Sequence, residues 1–263
     1  MKADMFRLDG KVVVVIGAGS GIGASVAKGV ALQGGTTLCW DVKGDAAAAT
    51  AAAIRADGGT AESAAVDITD EAGLNAVLDA VMATHGRLDG LACTPAINVR
   101  KSILKYSGEE FDRVVAVNLR GNFNVLMAAG RIMTAQKSGS IVLFSSIRSI
   151  VTEPGQSVYS MTKAGILQLA KSAATEWATQ GVRVNAVGPG VIETPLTAPI
   201  KAVPEWYNAY ATKNPMNRWA HADEMAGPTV FLLSDAASYV TGTILYADGG
   251  WLAADGRFTP PGI

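Results

Sequence analysis

Residues 11–16 form an unbroken run of mainly β-branched side chains (Lys-Val-Val-Val-Val-Ile), the pattern of a strand buried on both faces. A glycine-rich stretch from Gly17 to Gly23 follows. An Ala- and Val-rich segment then runs to about Gln33 and is closed by Gly34 and Gly35, which reads as a helix with glycine beyond its C-terminal end. The pattern repeats, with a second strand over 36–40 and an alanine-rich helix over 46–56, ended by Gly58 and Gly59. Further strands are predicted at 61–66, 88–93, 141–144, 182–187 and 243–246, and helices at 71–84, 109–136, 158–179 and 222–233. Strand and helix alternating in this way build βαβ units, so the fold class is α/β, a parallel sheet with helices on both faces. No repeat, low-complexity linker or composition break divides the chain, and residues 1–263 read as one domain. The stretch 193–219 departs from the alternation. It carries Pro195, Pro199, Pro204 and Pro215 with Trp206, Tyr207, Tyr210 and Trp219, and long insertions of this kind serve as lids or binding loops.

Composition narrows the function classes. The 263 residues are 49% hydrophobic and 17% charged with a net charge of −1, which supplies a sizeable core and gives no electrostatic reason to expect nucleic acid or an acidic membrane as partner. The longest charge-free run, 12–27, holds four glycines and is too short and too broken to span a bilayer. The N-terminus (Met1, Lys2, Ala3, Asp4) lacks the apolar stretch of a signal peptide. Two cysteines, Cys39 and Cys93, and no Asn-x-Ser/Thr site fit a reducing, cytoplasmic setting. Only two histidines occur, His85 and His221, so neither a structural zinc site nor any other metal site is expected. Without a Gly-x-Ser-x-Gly elbow, a Ser-His-Asp hydrolase has little support. His85 precedes Gly86 at a predicted helix end, where a cation suits the dipole.

The glycines Gly17, Gly19, Gly21 and Gly23, with Ser20 and Ile22 between them, lie where a strand hands over to a helix. A tight turn there lets backbone N–H groups approach a phosphate at the helix N-terminus, and side chains larger than hydrogen would block that approach. Asp41 ends the second strand, twenty residues beyond Gly21, where a carboxylate would accept hydrogen bonds from a ribose. An acid at that point repels a 2′-phosphate, so NAD is expected rather than NADP, with Lys43 the nearby group that favours the phosphate. Asp67, followed by Ile68, ends the third strand. It serves either the adenine side of the nucleotide or the N-cap of the helix at 71–84.

Tyr159 and Lys163 are four residues apart and share a helix face. A free tyrosine titrates near ~10, and a neighbouring ammonium favours the phenolate, bringing the group toward use as a general base. Ser146 lies at the C-terminal end of a predicted parallel strand, where ligand crevices open in such sheets, and its hydroxyl would hold a substrate oxygen. Asn118 sits inside a predicted long helix, at a cost in helix propensity unless its amide is employed.

Over residues 8–250 the chain resembles the short-chain dehydrogenase/reductase family in its short single-domain branch. The shared motifs are Gly17-x-x-x-Gly21-x-Gly23, Asp41, Asp67, Asn118, Ser146, Tyr159-x-x-x-Lys163, Pro189-Gly190-x-x-x-Thr194 and Asp248-Gly249-Gly250. The resemblance implies a Rossmann-type doubly wound sheet of seven parallel strands in three αβα layers, and hydride transfer between a nicotinamide and a secondary alcohol or ketone. It also implies roles: Tyr159 as general acid/base, Ser146 orienting the substrate oxygen, and Lys163 lowering the tyrosine pKa while holding the nicotinamide ribose. Asn118 would anchor a water linking Lys163 to solvent. Pro189, Gly190, the backbone of Ile192 and the hydroxyl of Thr194 would receive the carboxamide. A homotetramer joined through the helices at 109–136 and 158–179 is implied as well. Small residues there (Ala128, Ala129, Ala164, Gly165, Ala173, Ala174) suit either a subunit contact or packing on the sheet. Met161 faces away from Tyr159 and Lys163, toward core or interface.

Two departures stand out. Ile16 replaces the family's usual Thr, and Cys93-Thr94-Pro95-Ala96 replaces Asn-Asn-Ala-Gly. Pro95 removes a donor and fixes φ. The two sites read as a paired replacement in which Ile16 packs against Cys93, and they bear on the wall beside the adenosine ribose. For the substrate, Arg148, Arg100 and Trp206 are candidates, the arginines because a guanidinium fork suits a carboxylate, with Glu153 close enough in sequence to neutralise Arg148. Polyol, hydroxy acid and alicyclic alcohol remain open as substrates. A non-catalytic NAD-binding sensor is the alternative from another class, and a sugar-nucleotide epimerase would normally need a larger substrate domain. The tail 256–263 either reaches a neighbouring subunit or is free.

Overall fold

In the computed structural model, residues 4–256 are described, so the expectations placed on residues 1–3 and on the tail beyond Gly256 lie outside the described residues. Strand β1 (Val12–Ile16) is buried along its whole length, and every alternate side chain goes to a different core. Val12, Val14 and Ile16 join one apolar cluster, and Val13 and Val15 the other. That division is the pleat of a central strand, and it accounts for the unbroken β-branched run.

The remaining strands are β2 (Thr36–Asp41), β3 (Ala61–Ala65), β4 (Gly90–Cys93), β5 (Gly139–Phe144), β6 (Val182–Pro189), the two-residue β7 (Ile192–Glu193) and β8 (Ala220–His221), and β9 (Ile244–Ala247). Seven of them form one sheet in the order β3-β2-β1-β4-β5-β6-β9, with every neighbouring pair parallel. The connection reverses direction between β1 and β4, the switch point at which such sheets open a crevice at the C-terminal strand ends. Helices α1 (Gly21–Leu32) and α2 (Gly44–Ala56) cover one face, with Val26, Val30, Ala51 and Ile54 buried there. Helices α3 (Glu71–His85), α5 (Asn122–Gln136) and α6 (Ser157–Trp177) cover the other through Leu74, Leu78, Val125, Met133, Ile166 and Ala170. Ala128, Ala129, Ala173 and Ala174 are buried in this same layer; these small residues serve helix-on-sheet packing. Met161 is instead 44% exposed.

The helix expected over 109–136 is interrupted. Helix α4 (Gly108–Val115), started by a capping box between Ser107 and Glu110, passes into a π-helical turn at Ala116–Gly121 before α5 begins. Such single π turns frequently mark functional sites. Likewise 222–233 divides into a 3₁₀ turn (Ala222–Met225) and α9 (Ala226–Leu233). His85 closes α3 beside Gly86 in the left-handed conformation, and its ring lies 3.5 Å from Glu62.

In the 193–219 stretch, β7 pairs with β8 in parallel, and the chain between them folds into a 3₁₀ turn and two short helices, α7 (Ala198–Lys201) and α8 (Pro204–Ala211). Their apolar side chains join a third cluster containing Ile147, Ile200, Tyr210, Trp219 and Trp251. Tyr207 and Trp219 stack with parallel rings 5.0 Å apart, and Tyr210 meets Trp251 edge-on at 5.8 Å. Among the described residues no helix is long and apolar enough to cross a membrane.

Candidate active site

The glycine-rich turn leaves β1 with Gly17 and Ala18 both donating to the Trp40 carbonyl, at 2.7 and 2.9 Å. Gly17 has φ +84°, and a Cβ there would stand 2.3 Å from the Thr94 hydroxyl, so no other residue fits. A Cβ on Gly23 would lie 2.0 Å from the Gly17 carbonyl oxygen. At the start of α1 the Ser20 side chain makes no capping bond, and no acid occupies the first turn. The unpartnered N–H groups and the positive dipole end are therefore left for an anion.

A groove of about 490 Å³ runs past this turn, lined by Gly17, Ser20, Gly21, Ile22 and Gly23 and, on its far walls, by Asp41, Asp67, Ile68 and Thr194. Asp41 accepts from the Gly19 N–H at 2.9 Å with one oxygen and from the Lys43 N–H at 2.9 Å with the other, which fixes the carboxylate at the groove edge. Asp67 accepts from the Thr69 N–H and hydroxyl. The N-cap of α3 is Asp70, whose side chain accepts from Gly73, so that alternative for Asp67 is set aside. Together, the glycine cradle, the open helix N-terminus and the edge carboxylate fit a dinucleotide.

The altered wall is coherent. Ile16 and Cys93 are in register on adjacent strands and share one core. The Thr94 N–H and hydroxyl both donate to the Ile16 carbonyl, at 3.1 and 2.9 Å. The sequence marked Thr94 only as part of the departure at 93–96, without its bond to Ile16. Pro189 ends β6 opposite Ala247, and a Cβ on Gly190 would lie 2.7 Å from the Asp248 Cα. Ile192 is 4% exposed, with its side chain in the core, so only its backbone is left for a ligand. Thr194 and Thr197 exchange contacts, the Thr194 N–H donating to the Thr197 hydroxyl at 3.0 Å.

Ser146, Tyr159, Gly190, Arg100, Arg148 and Trp206 line a second cavity of about 470 Å³. Leu196 borders both spaces, which makes them adjoining. Tyr159 is raised above its ordinary pKa by burial, while a hydrogen bond from Ser146 and the charges of Arg100 and Arg148 work in the opposite sense. Lys163 is 2% exposed and lines neither space. Its ammonium donates to the Phe144 carbonyl at 2.7 Å and lies 5.5 Å from the centre of the Tyr159 ring; burial pushes its pKa down to about 8. The Ser145 hydroxyl donates to the Lys163 carbonyl at 2.7 Å, binding α6 to the end of β5. Burial pushes the Cys93 thiol up to about 12, an inert core group. Asn118 is completely buried, and its amide bridges both main-chain groups of Ile97 and reaches the Thr162 hydroxyl.

The two arginines meet on Glu153. Arg148, 6% exposed, pairs with one carboxylate oxygen at 2.8 Å, and Arg100 approaches the other at 3.2 Å. Tyr210 donates a short hydrogen bond to Glu153, and Gln156 donates to it at 3.2 Å. Burial opposes the charged form of Glu153, but the Tyr210 bond, the Arg148 charge and the bonds from Gln156 and Arg100 together hold its pKa below the ordinary value. Arg148 lies over the Tyr210 and Trp251 rings and Arg100 over Trp206. Gln156, Asn98 and Tyr210 also line this cavity, and none was singled out for it in sequence. Gln156, one helical turn before Tyr159, carried the only local hint.

The family described as Enoyl-(Acyl carrier protein) reductase matches residues 17–252. A cis-4-hydroxycyclohexanecarboxylate dehydrogenase of Sinomonas cyclohexanicum is 39% identical over 92% of this chain and 97% of its own. A D-threitol dehydrogenase of Mycolicibacterium smegmatis is 36% identical over 94% of each. The crystal structure of a gluconate 5-dehydrogenase from Burkholderia cenocepacia in complex with NADP and tartrate is 32% identical, covers 95% of this chain and 98% of that one, and superposes with a TM-score of 0.92. With its seven-stranded Rossmann-type sheet and this breadth of similarity, the chain belongs to the short-chain dehydrogenase/reductase family of oxidoreductases.

Proposed function

We propose that this protein oxidises a secondary alcohol, or reduces the matching ketone, with NAD as the preferred carrier. The observation that carries the reading is that Ser146 and Tyr159 line one cavity that adjoins the glycine-lined groove. Ser146 and Tyr159 hold the substrate oxygen, and in the oxidative direction the hydroxyl proton passes to the Tyr159 oxygen. That transfer needs an ionised phenol; the Ser146 hydroxyl and the Arg100 and Arg148 charges work toward it, against a burial that outweighs them and holds the pKa above its ordinary value. Lys163 would position the nicotinamide ribose by turning its ammonium from the Phe144 carbonyl toward the groove, and it adds positive charge 5.5 Å from the centre of the Tyr159 ring. Asn118 holds the π turn and the Ile97 backbone, and orders water toward Lys163. A bound nicotinamide supplies the hydride acceptor. Asp41 receives the ribose hydroxyls, Asp67 and Ile68 border the adenine, and the Pro189–Thr194 backbone, with Thr194, receives the carboxamide.

NAD preference rests on the Asp41 carboxylate at the groove edge, where a 2′-phosphate would meet like charge. Relatives that act on a hydroxycyclohexanecarboxylate and on threitol support an alcohol substrate, and three side chains (Arg148, Arg100 and Trp206) would contact it. Phe111 (40% exposed), Phe123 (38%), Met127 (42%) and Met161 (44%) present apolar surface on α4, α5 and α6, in support of a homotetramer joined through these helices. Two buried free thiols suit a cytoplasmic setting. The test is turnover of secondary alcohols, polyols and hydroxy acids with NAD and with NADP, followed by absorbance of the reduced nicotinamide. Turnover with NAD supports the reading, and no turnover of any class alongside measurable NAD binding would replace it with that of a sensor.

A further inference from the structure

The polar wall of the substrate cavity carries unequal charge. Glu153 is the one acid paired with Arg148 or Arg100 among the described residues, so two guanidinium groups share a single carboxylate. The shares differ. Arg148 is buried, held at 2.8 Å from Glu153, with its guanidinium 5.9 and 5.5 Å from the centres of the Tyr210 and Trp251 rings. Its charge is matched, and its position is that of a pillar joining the loop after β5 to α8. Arg100 keeps 31% of its side chain exposed and reaches Glu153 only at 3.2 Å, on an oxygen that also accepts from Tyr210 and Gln156. Its guanidinium lies 5.1 Å from the centre of the Trp206 ring. The uncompensated positive charge of the cavity therefore resides at Arg100.

The rest of the lining has little to offer a polar ligand. Ile147, Val191, Leu196, Pro199, Ile200 and Trp219 are apolar. Of the other polar side chains that line it, Thr197, Gln156 and Tyr210 already donate within the protein, the Asn98 amide nitrogen is committed to Gln156 at 2.8 Å, and the Asn98 Oδ1 is buried without a partner. A ligand hydroxyl buried without a partner costs about 1–3 kcal/mol, so a chain of many hydroxyls is penalised here, and an apolar body is favoured in proportion to the area it hides.

Building on the oxidoreductase reading above, we propose that the substrate is a monocarboxylate with a compact apolar body, its carboxylate held by Arg100 at the Trp206 side of the cavity. Beyond the reacting alcohol it carries no chain of further hydroxyls. Arg148 borders the substrate, but its charge is committed to Glu153; it holds Glu153 and α8 in place and does not pair with the acid.

Binding tests this without requiring turnover. With NAD present, titration calorimetry compares cyclopentanecarboxylate, its neutral carboxamide, and gluconate, a carboxylate with five hydroxyls. The carboxylate should bind about tenfold or more tightly than the carboxamide and than gluconate, as expected for one charge-assisted pair in a partly screened site. Arg100→Met should abolish the preference over the carboxamide, and Arg100→Lys should keep most of it, since the charge remains. Equal affinity for carboxylate and carboxamide, a preference that survives in Arg100→Met, loss of the preference in Arg100→Lys as complete as in Arg100→Met, tighter binding of gluconate, or no binding of any of the three would each overturn the proposal. Carboxylate-selective binding without turnover of any alcohol would uphold this inference and refute the oxidoreductase reading on which it builds.

Discussion

The Asn118 side chain pairs with both main-chain polar groups of Ile97, accepting from its N–H at 2.8 Å and donating to its carbonyl at 2.9 Å. This pairing ties the π turn to the segment that leaves β4, which is the shared border of groove and cavity. The Asn122 amide in turn donates to the Asn118 carbonyl at 2.8 Å. An asparagine that costs helix propensity is thus employed in full.

Asn118→Ala removes this bridge and leaves two main-chain groups of Ile97 to find other partners. At about 1 kcal/mol per lost bond, plus the cost of unsatisfied groups, stability should fall by about 2–4 kcal/mol, read from denaturant midpoints. Turnover should fall with it, even at temperatures where the variant is folded.

A methyl group on Gly23 would collide with the Gly17 carbonyl, which is backbone and has no rotamer to move. Gly23→Ala should therefore destabilise the fold by about 1–3 kcal/mol and eliminate dinucleotide binding, measured by quenching of tryptophan fluorescence or by calorimetry. Gly58→Ala is the control for a glycine with open space around its Cβ position; it strains only its own φ of +85° and should leave binding intact.

The alternation of strands and helices was legible in the chain because a central parallel strand must be apolar on both faces, as β1 and the 141–144 part of β5 are. The glycine turn and the Tyr159–Lys163 pair were legible because their spacing is local. The π turn was not, because one extra residue in a helix shifts the apolar pattern too little to be seen against the flanking turns, and only Asn118 marked it. Within 193–219, Pro195, Pro199 and Pro204 each stand in the first turn of a short helix, a start signal that the density of prolines concealed. The Arg148–Glu153 pair, five residues apart, was legible, whereas its sharing with Arg100 and Tyr210 depends on contacts across more than fifty residues, which no local pattern encodes.

The Asp41 carboxylate, held by the Gly19 and Lys43 N–H groups, is expected to exclude a 2′-phosphate by charge. Asp41→Asn keeps the size of the side chain and removes the charge. The ratio of kcat/KM for NADP to that for NAD should rise about tenfold or more, equivalent to ~1.4 kcal/mol, and an unchanged ratio would show that Asp41 does not govern the choice of carrier.

Lys163 titrates near 8 in the folded protein, because burial penalises its ammonium, and near 10.5 when unfolded. Between these values the unfolded chain binds more protons, so this group makes stability rise with pH across the window. Lys163→Met removes the effect. The stability of the wild type relative to that variant should increase by on the order of 2 kcal/mol from pH 8 to 10, measured by denaturant melts of the cofactor-free protein at each pH. A difference independent of pH would contradict the burial of a titrating ammonium.

The most direct test of the proposed chemistry is Tyr159→Phe, which deletes one oxygen and leaves the ring in place. NAD affinity by calorimetry should stay within a few-fold of wild type, since the groove side chains are untouched, while nicotinamide reduction with the best alcohol should fall by about 10²-fold or more, the scale of a lost general base. Turnover that persists in Tyr159→Phe at near wild-type rate would contradict the assignment of Tyr159 as the group that takes the substrate proton.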